Sequence, residues 1–203
     1  MSYRSHETVH STRYTLDPNI IGTAANIIEA VQGTVATTGS APTLKWRLNA
    51  DEYVLYDPAS PILDIEFPIT VPVKPTAGDV RAWGFKTPGL LNRGRIEFDI
   101  TATVFSCLAY DEDGTQLTVY NTSGAALSSG AYTWDDTNWT NKEIKYRIIN
   151  DGKQIKFLVE GTVIAQTQTP CKVSTLPTHV HLRNDNADNM DLKAIIVRNS
   201  FNL

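Results

Sequence analysis

Alternation of polar and apolar residues constrains this chain more than anything else in it. GRIEFDITATVFSCLAY (94–110), KEIKYRIIN (142–150) and THVHLRN (178–184) all show it. A period of two leaves one face buried and one face wet, which is the pattern of antiparallel sheet. In the first run Ile96, Phe98, Ile100 and Val104 fall on one side and Glu97, Asp99, Thr101 and Thr103 on the other. Its length predicts one curved strand crossing a sandwich.

Further strands are predicted over 53–56, 63–71, 80–86, 116–120, 154–159, 163–168, 179–183 and 192–198. Asp113-Gly114, Asp151-Gly152 and Glu160-Gly161 each separate two β-prone runs, and Gly supplies the positive φ that a tight reversal demands. Many short strands with almost no helix predict an all-β fold, a two-sheet antiparallel sandwich or jelly roll. A chain of 203 residues buries a full core as one such unit over 51–203.

Residues 1–50 have a different texture and are expected to form an arm. After Asp17-Pro18, the residues Ile20, Ala24, Ile27, Ile28 and Val31 recur at helical spacing, and Gly33 stands where a helix would end. One short helix fits this spacing; so does an extended arm with Ile20-Ile21 and Ile27-Ile28 in strands. Residues 34–42 (TVATTGSAP) read as a joint. Tyr3, Tyr14, Ile20, Ile21, Ile27 and Ile28 are costly to leave in water ahead of the body, and burial against another subunit would relieve that cost.

The net charge of −4 and the pI near 5.5 argue against a surface that neutralises phosphate, so nucleic acid is not expected as a partner and no basic patch is visible. No run is long enough to span a bilayer, and MSYRSHETVHSTRYTLDPN lacks the apolar core of a secretory signal. The two cysteines, Cys107 in a strand and Cys171 in a loop, are expected to be free thiols kept in a reducing compartment.

One succession of features goes further. Gly94 to Ile100 is followed by Trp139 and the strand at 142–149, then Asp151-Gly152, the run 154–160 with Gly161, Val163-Ile164-Ala165, a Pro-containing linker, 179–184 and finally 191–197. This order resembles the second half of concanavalin A-like lectin/glucanase jelly rolls, over roughly residues 60–203. The glucanases of that family carry Glu-x-Asp-x-x-Glu on one strand. Here Glu97 and Asp99 match the first two positions, but Ala102 stands at the third. Retaining glycoside hydrolysis needs two carboxyl groups about 5–5.5 Å apart with one held protonated. A methyl group cannot serve, so no enzymatic activity is expected.

Tyr132, Trp134 and Trp139 cluster with Asp135, Asp136 and Asn138 in AYTWDDTNWTN. Aromatic faces beside carboxylates and amides suit sugar rings, which present C–H surface and hydroxyls together. The competing reading has Trp139 capping the core. No cofactor is required, although calcium is a candidate: Asp185, Asp188 and Asp191 lie in or just beyond an Asn/Asp-rich loop joining two strands, and Asp111-Glu112-Asp113 form a second acidic loop. Asn and Asp also dominate ordinary turns. His179 and His181 share one strand face with Arg183 continuing the row, a spacing that offers zinc two ligands and nominates no third. Cys107, among Phe105, Leu108 and Ala109, is expected to be inert.

The resemblance and the arm together imply a non-enzymatic structural protein of a bacteriophage virion, such as a capsid decoration, fibre or tail-associated component. It would be made in the host cytoplasm without a signal peptide and would dock through its arm as a homo-oligomer, a trimer for instance, on other virion proteins. The alternative is a carbohydrate-binding module that takes a glycan on the Trp134/Trp139 loop.

Overall fold

The computed structural model of this chain describes residues 8–14, 34–35, 43–47, 62–86, 94–170, 179–184, 190–192 and 195–201, with side-chain surroundings for 64–84, 94–170, Asn184 and Met190. The strands among them are β1 (Thr8–Tyr14), β2 (Thr34–Val35), β3 (Thr43–Arg47), β4 (Ile62–Thr70), β5 (Val80–Lys86), β6 (Arg95–Thr101), β7 (Val104–Tyr110) and β8 (Val119–Asn121). There follow β9 (Ala131–Tyr132), β10 (Glu143–Asp151), β11 (Ile155–Val159), β12 (Thr162–Thr167), β13 (His179–Asn184), β14 (Met190–Leu192) and β15 (Ile195–Phe201). A four-residue helix, α1 (Asp136–Trp139), is the one α-helix described. No helix among the described residues is long and apolar enough to cross a membrane.

The strands form two antiparallel sheets. One runs β1-β15-β4-β10-β11-β12-β8, with β14 pairing β2 and β4; the other runs β3-β13-β5-β6-β7-β9. Alternation then decides the core. Ile65, Phe67 and Ile69 of β4 and Ile144, Tyr146 and Ile148 of β10 face Ile96, Phe98 and Ile100 of β6 and Phe105, Cys107 and Ala109 of β7, all in one buried cluster. Its centre is aromatic: Phe98 lies 5.3 Å from both Tyr146 and Phe157 in edge-on contact, and the Trp83 ring lies 4.8 Å from Tyr146.

The run 94–110 is a hairpin, not one curved strand. Ala102 turns with φ 55° while its N–H donates to the Asp79 carbonyl at 2.6 Å, and Thr101 pairs with Val104. The reversal shifts the alternation, so Phe105, Cys107 and Ala109 take the core and Val104, expected inside, is 45% exposed. The sheets draw strands from both sides of residue 50. Strand β1 pairs with β15, β2 with β14 and β3 with β13, because the backbone donors and acceptors of extended segments find their partners in the sheets. Tyr14 stands opposite Ile195. The helix expected within 17–33 lies outside the described residues, as do Tyr3, Ile20, Ile21, Ile27 and Ile28.

Candidate functional site

The aromatic loop is assembled as its sequence suggests, but for packing. Strand β9 is the edge of the six-stranded sheet and β10 lies inside the other sheet, so residues 133–142 cross the open side of the sandwich. Trp139 is buried there, stacked on Tyr132 at 6.2 Å and edge-on to Trp134 at 5.3 Å, with Phe105 beneath both tryptophans at 5.5 Å. Tyr132 and Trp134 are half-buried.

The polar groups of this loop serve one another. Asp135 caps α1 by accepting from the Asn138 N–H at 3.0 Å, and the Asn138 amide donates to its other oxygen at 2.8 Å. The Asn138 side chain and backbone bonds hold the Asp135 carboxyl below the usual range. The Trp134 indole N–H donates to the Thr140 hydroxyl at 3.0 Å, which donates to Asp136 at 2.6 Å. Tyr132, Trp134, Asp135, Asp136 and Asn138 are therefore together, as a plug whose hydrogen bonds close internally.

Of the calcium candidates, Asp185 and Asp188 lie outside the described residues; Asp191 is in β14, paired with Thr34 and Thr70. Among the described residues no three His, Cys, Asp or Glu side chains gather as a metal-ligand group. The loop at Asp111 is an ordinary reversal, with Gly114 at φ 90° and the Thr115 N–H donating to Asp113. Cys107 is a buried, unbridged thiol, and burial pushes its pKa well up.

The denser constellation lies on the face of the six-stranded sheet turned away from the core. Arg95, Glu97, Asp99 and Thr101 alternate onto that face from β6. The Arg95 guanidinium bonds Glu97 and reaches Asp99 at 3.2 Å, Thr101 donates to the far Asp99 oxygen at 2.7 Å, and the Arg95 head lies 5.7 Å from the centre of the Tyr110 ring. Burial alone would lower the Arg95 pKa; the charge and hydrogen bond of Glu97, with Asp99, raise it overall. Beside the two carboxylates, β5 contributes only Ala82, opposite Asp99, and Gly84, opposite Glu97. Across β7 lie Ser106 and Leu108.

One guanidinium is shared by two neighbouring carboxylates, +1 against −2, and ties both to one end of β6. Sequence reasoning found Glu97 and Asp99 and missed Arg95 and Tyr110. The signal was Arg-x-Glu-x-Asp, which puts three charges on one side of any strand.

No protein-family description matches the sequence, and no curated protein does. Solved structures do match in shape. The carbohydrate recognition domain of Emp47p superposes with a TM-score of 0.50 at 10% identity, over 95% of this chain and 89% of that one. A structure concerned with botulinum neurotoxin type C, whose cell entry depends on interaction with two ganglioside molecules, gives 0.53 at 11% identity over 94% and 43%. The serotype D binding domain gives 0.51 at 12% identity over 98% and 44%. The chain thus spans less than half the length of the neurotoxin chains, and two of these three structures are described as a binding or a recognition domain. At such identities the likeness shows architecture: this chain folds as a lectin-like β-sandwich.

Proposed function

We propose that the chain is a non-catalytic, lectin-like binding domain for carbohydrate, with Arg95 and Tyr110, the partly exposed residues where β6 meets β7, as its candidate contact. The observation that carries the proposal is the lectin-like sandwich together with the Arg95 head beside the Tyr110 ring, held from below by the buried Glu97 and Asp99. The fixed Arg95 guanidinium is a donor for sugar hydroxyls, and the Tyr110 ring offers a surface for sugar C–H groups. The lectin-like architecture supports this reading, as does the absence of Glu-x-Asp-x-x-Glu. The Trp134 loop is the weaker surface, since its polar groups are occupied by one another.

An assembly role on a virion rested on an arm standing ahead of a self-sufficient body. Strands β1 and β3 pair within the body's sheets, so these two segments are not a free arm, while Tyr3, Ile20, Ile21, Ile27 and Ile28 lie outside the described residues. A glycan array probed with the full-length chain tests the proposal: selective binding that weakens in a Tyr110→Ala protein of unchanged fold is expected. A chain that retains no glycan, yet forms a stable homo-oligomer, would return the assembly reading.

A further inference from the structure

We infer that Asn121 is an acceptor for asparagine-linked sugar, and that Asn138, which stands in the same motif, is not. The chain carries Asn-x-Ser/Thr twice, as Asn121-Thr122-Ser123 and as Asn138-Trp139-Thr140. Transferases that build an asparagine–sugar bond need this triplet on an accessible loop, because they must engage the amide and the hydroxyl two residues on together. The two triplets meet that need very differently.

Asn121 ends β8, the last strand of the nine-stranded sheet, and the chain reverses directly after it. The Gly124 N–H donates to the Asn121 carbonyl at 3.0 Å with Gly124 at φ 83°, and residues 122–126 are all exposed. A Cβ at Gly124 would meet no atom within 4 Å, so the turn stands clear of its surroundings. The side-chain oxygen of Asn121 accepts from the Ser123 N–H at 3.1 Å, the Ser123 hydroxyl at 2.8 Å and the Ala125 N–H at 2.9 Å. All three bonds fall on the oxygen: they fix the amide, set the Ser123 hydroxyl beside it, and leave Nδ2 with no hydrogen bond among the described residues.

Asn138 is the opposite case. Its Nδ2 donates to Asp135 at 2.8 Å, Trp139 in the middle of the triplet is buried, and the Thr140 hydroxyl is held between Trp134 and Asp136. A transferase would have to unfold the loop to engage it. At Asn121 the reaction needs only a sugar carried on a diphosphate. The Nδ2 electron pair attacks C1 of the sugar, the C1–O bond breaks with its electrons leaving on the diphosphate, and one amide proton passes to a base of the transferase.

The folded full-length chain is tested in two reactions, one with a soluble asparagine glucosyltransferase and UDP-glucose, the other with solubilised microsomal oligosaccharyltransferase and a lipid-linked glycan. Intact mass and peptide mapping read the products. Sugar is expected on Asn121 and not on Asn138 in at least one reaction, and the reaction that works identifies the donor as nucleotide-linked or lipid-linked. Asn121→Gln and Ser123→Ala, both in the turn, should abolish transfer; Ser123→Thr should retain it, and Asn138→Gln should leave it unchanged. A folded chain left unmodified in both reactions would overturn the inference, as would sugar on Asn138 of the folded chain. Transfer that survives Ser123→Ala would overturn it too, because the triplet would not be what the enzyme reads. None of these outcomes bears on the lectin-like reading, which rests on Arg95 and Tyr110.

Discussion

Gly84 lies so close to Glu97 that a Cβ at position 84 would stand 2.5 Å from the Glu97 Cβ and 2.2 Å from the Ile96 carbonyl oxygen. Neither neighbour is a flexible chain end. Gly84→Ala must therefore push β5 away from β6, at a cost of about 3 kcal/mol, the upper part of the range for overpacking. Urea denaturation reads this as a lower midpoint with an unchanged slope; an unmoved midpoint would contradict the close approach.

Arg95 is the shared ion-pair partner of two side chains that water hardly reaches: Glu97 is 0% and Asp99 7% exposed. Arg95→Met is expected to destabilise by about 3 kcal/mol, because removing one side of a buried ion pair leaves charge behind. Adding Glu97→Gln and Asp99→Asn should recover most of the loss. If the single variant is neutral, the shared ion pair is not what holds this face together.

Trp134 is a packing residue in a loop that looks like a sugar site. Trp134→Ala should lower stability by about 2 kcal/mol, less than the ~3–5 kcal/mol of a fully buried aromatic. Trp134→Phe should lose only about 1 kcal/mol, the hydrogen bond to Thr140. Glycan affinity measured on the folded variants should not change; a lost affinity with retained stability would move the binding surface to this loop.

Tyr146 places its hydroxyl in the core without a hydrogen-bond partner among the described residues, and burial, with the Glu160 charge, pushes its pKa far up. Tyr146→Phe keeps the ring contacts to Trp83 and Phe98 and removes the unsatisfied group. Thermal unfolding should show equal stability or a gain of up to about 1 kcal/mol. A marked loss would reveal a partner for that oxygen.

Asp151 has a lowered pKa. Burial would raise it, but the backbone N–H groups of Gln154 and Lys153 and the Lys156 ammonium at 3.2 Å outweigh that. A folded value below the unfolded 3.8 means that its contribution is complete above 3.8 and is lost as pH falls through the folded value. Asp151→Asn should therefore flatten the acid limb of the stability profile and leave no pH-dependent difference to the parent below it.

The sequence announced strands wherever alternation met a punctuating Gly: Val80–Lys86 matches its expected range, and the reversals at Gly114, Gly152 and Gly161 all have positive φ. It misled at 101–104, where Thr-Ala-Thr-Val carries no turn residue and the Ala102 bond to Asp79, a partner more than twenty positions away, makes the reversal. Trp139 as a core cap was legible. The uses of Asp135, Asp136 and Asn138 were not, because a capping side chain and a ligand-binding one have the same composition.

The pairing of Thr8 with Phe201 and of Tyr14 with Ile195 has a consequence for biosynthesis. The earliest described strand must wait for the latest to leave the ribosome, and until then β4 lacks its neighbour β15 and shows a naked rim to other nascent chains. Closure over almost the full contour makes for slow maturation, dominated by distant contacts. It also means that a fault in β15 strips β1 of its sheet partner although the two strands are made at very different times.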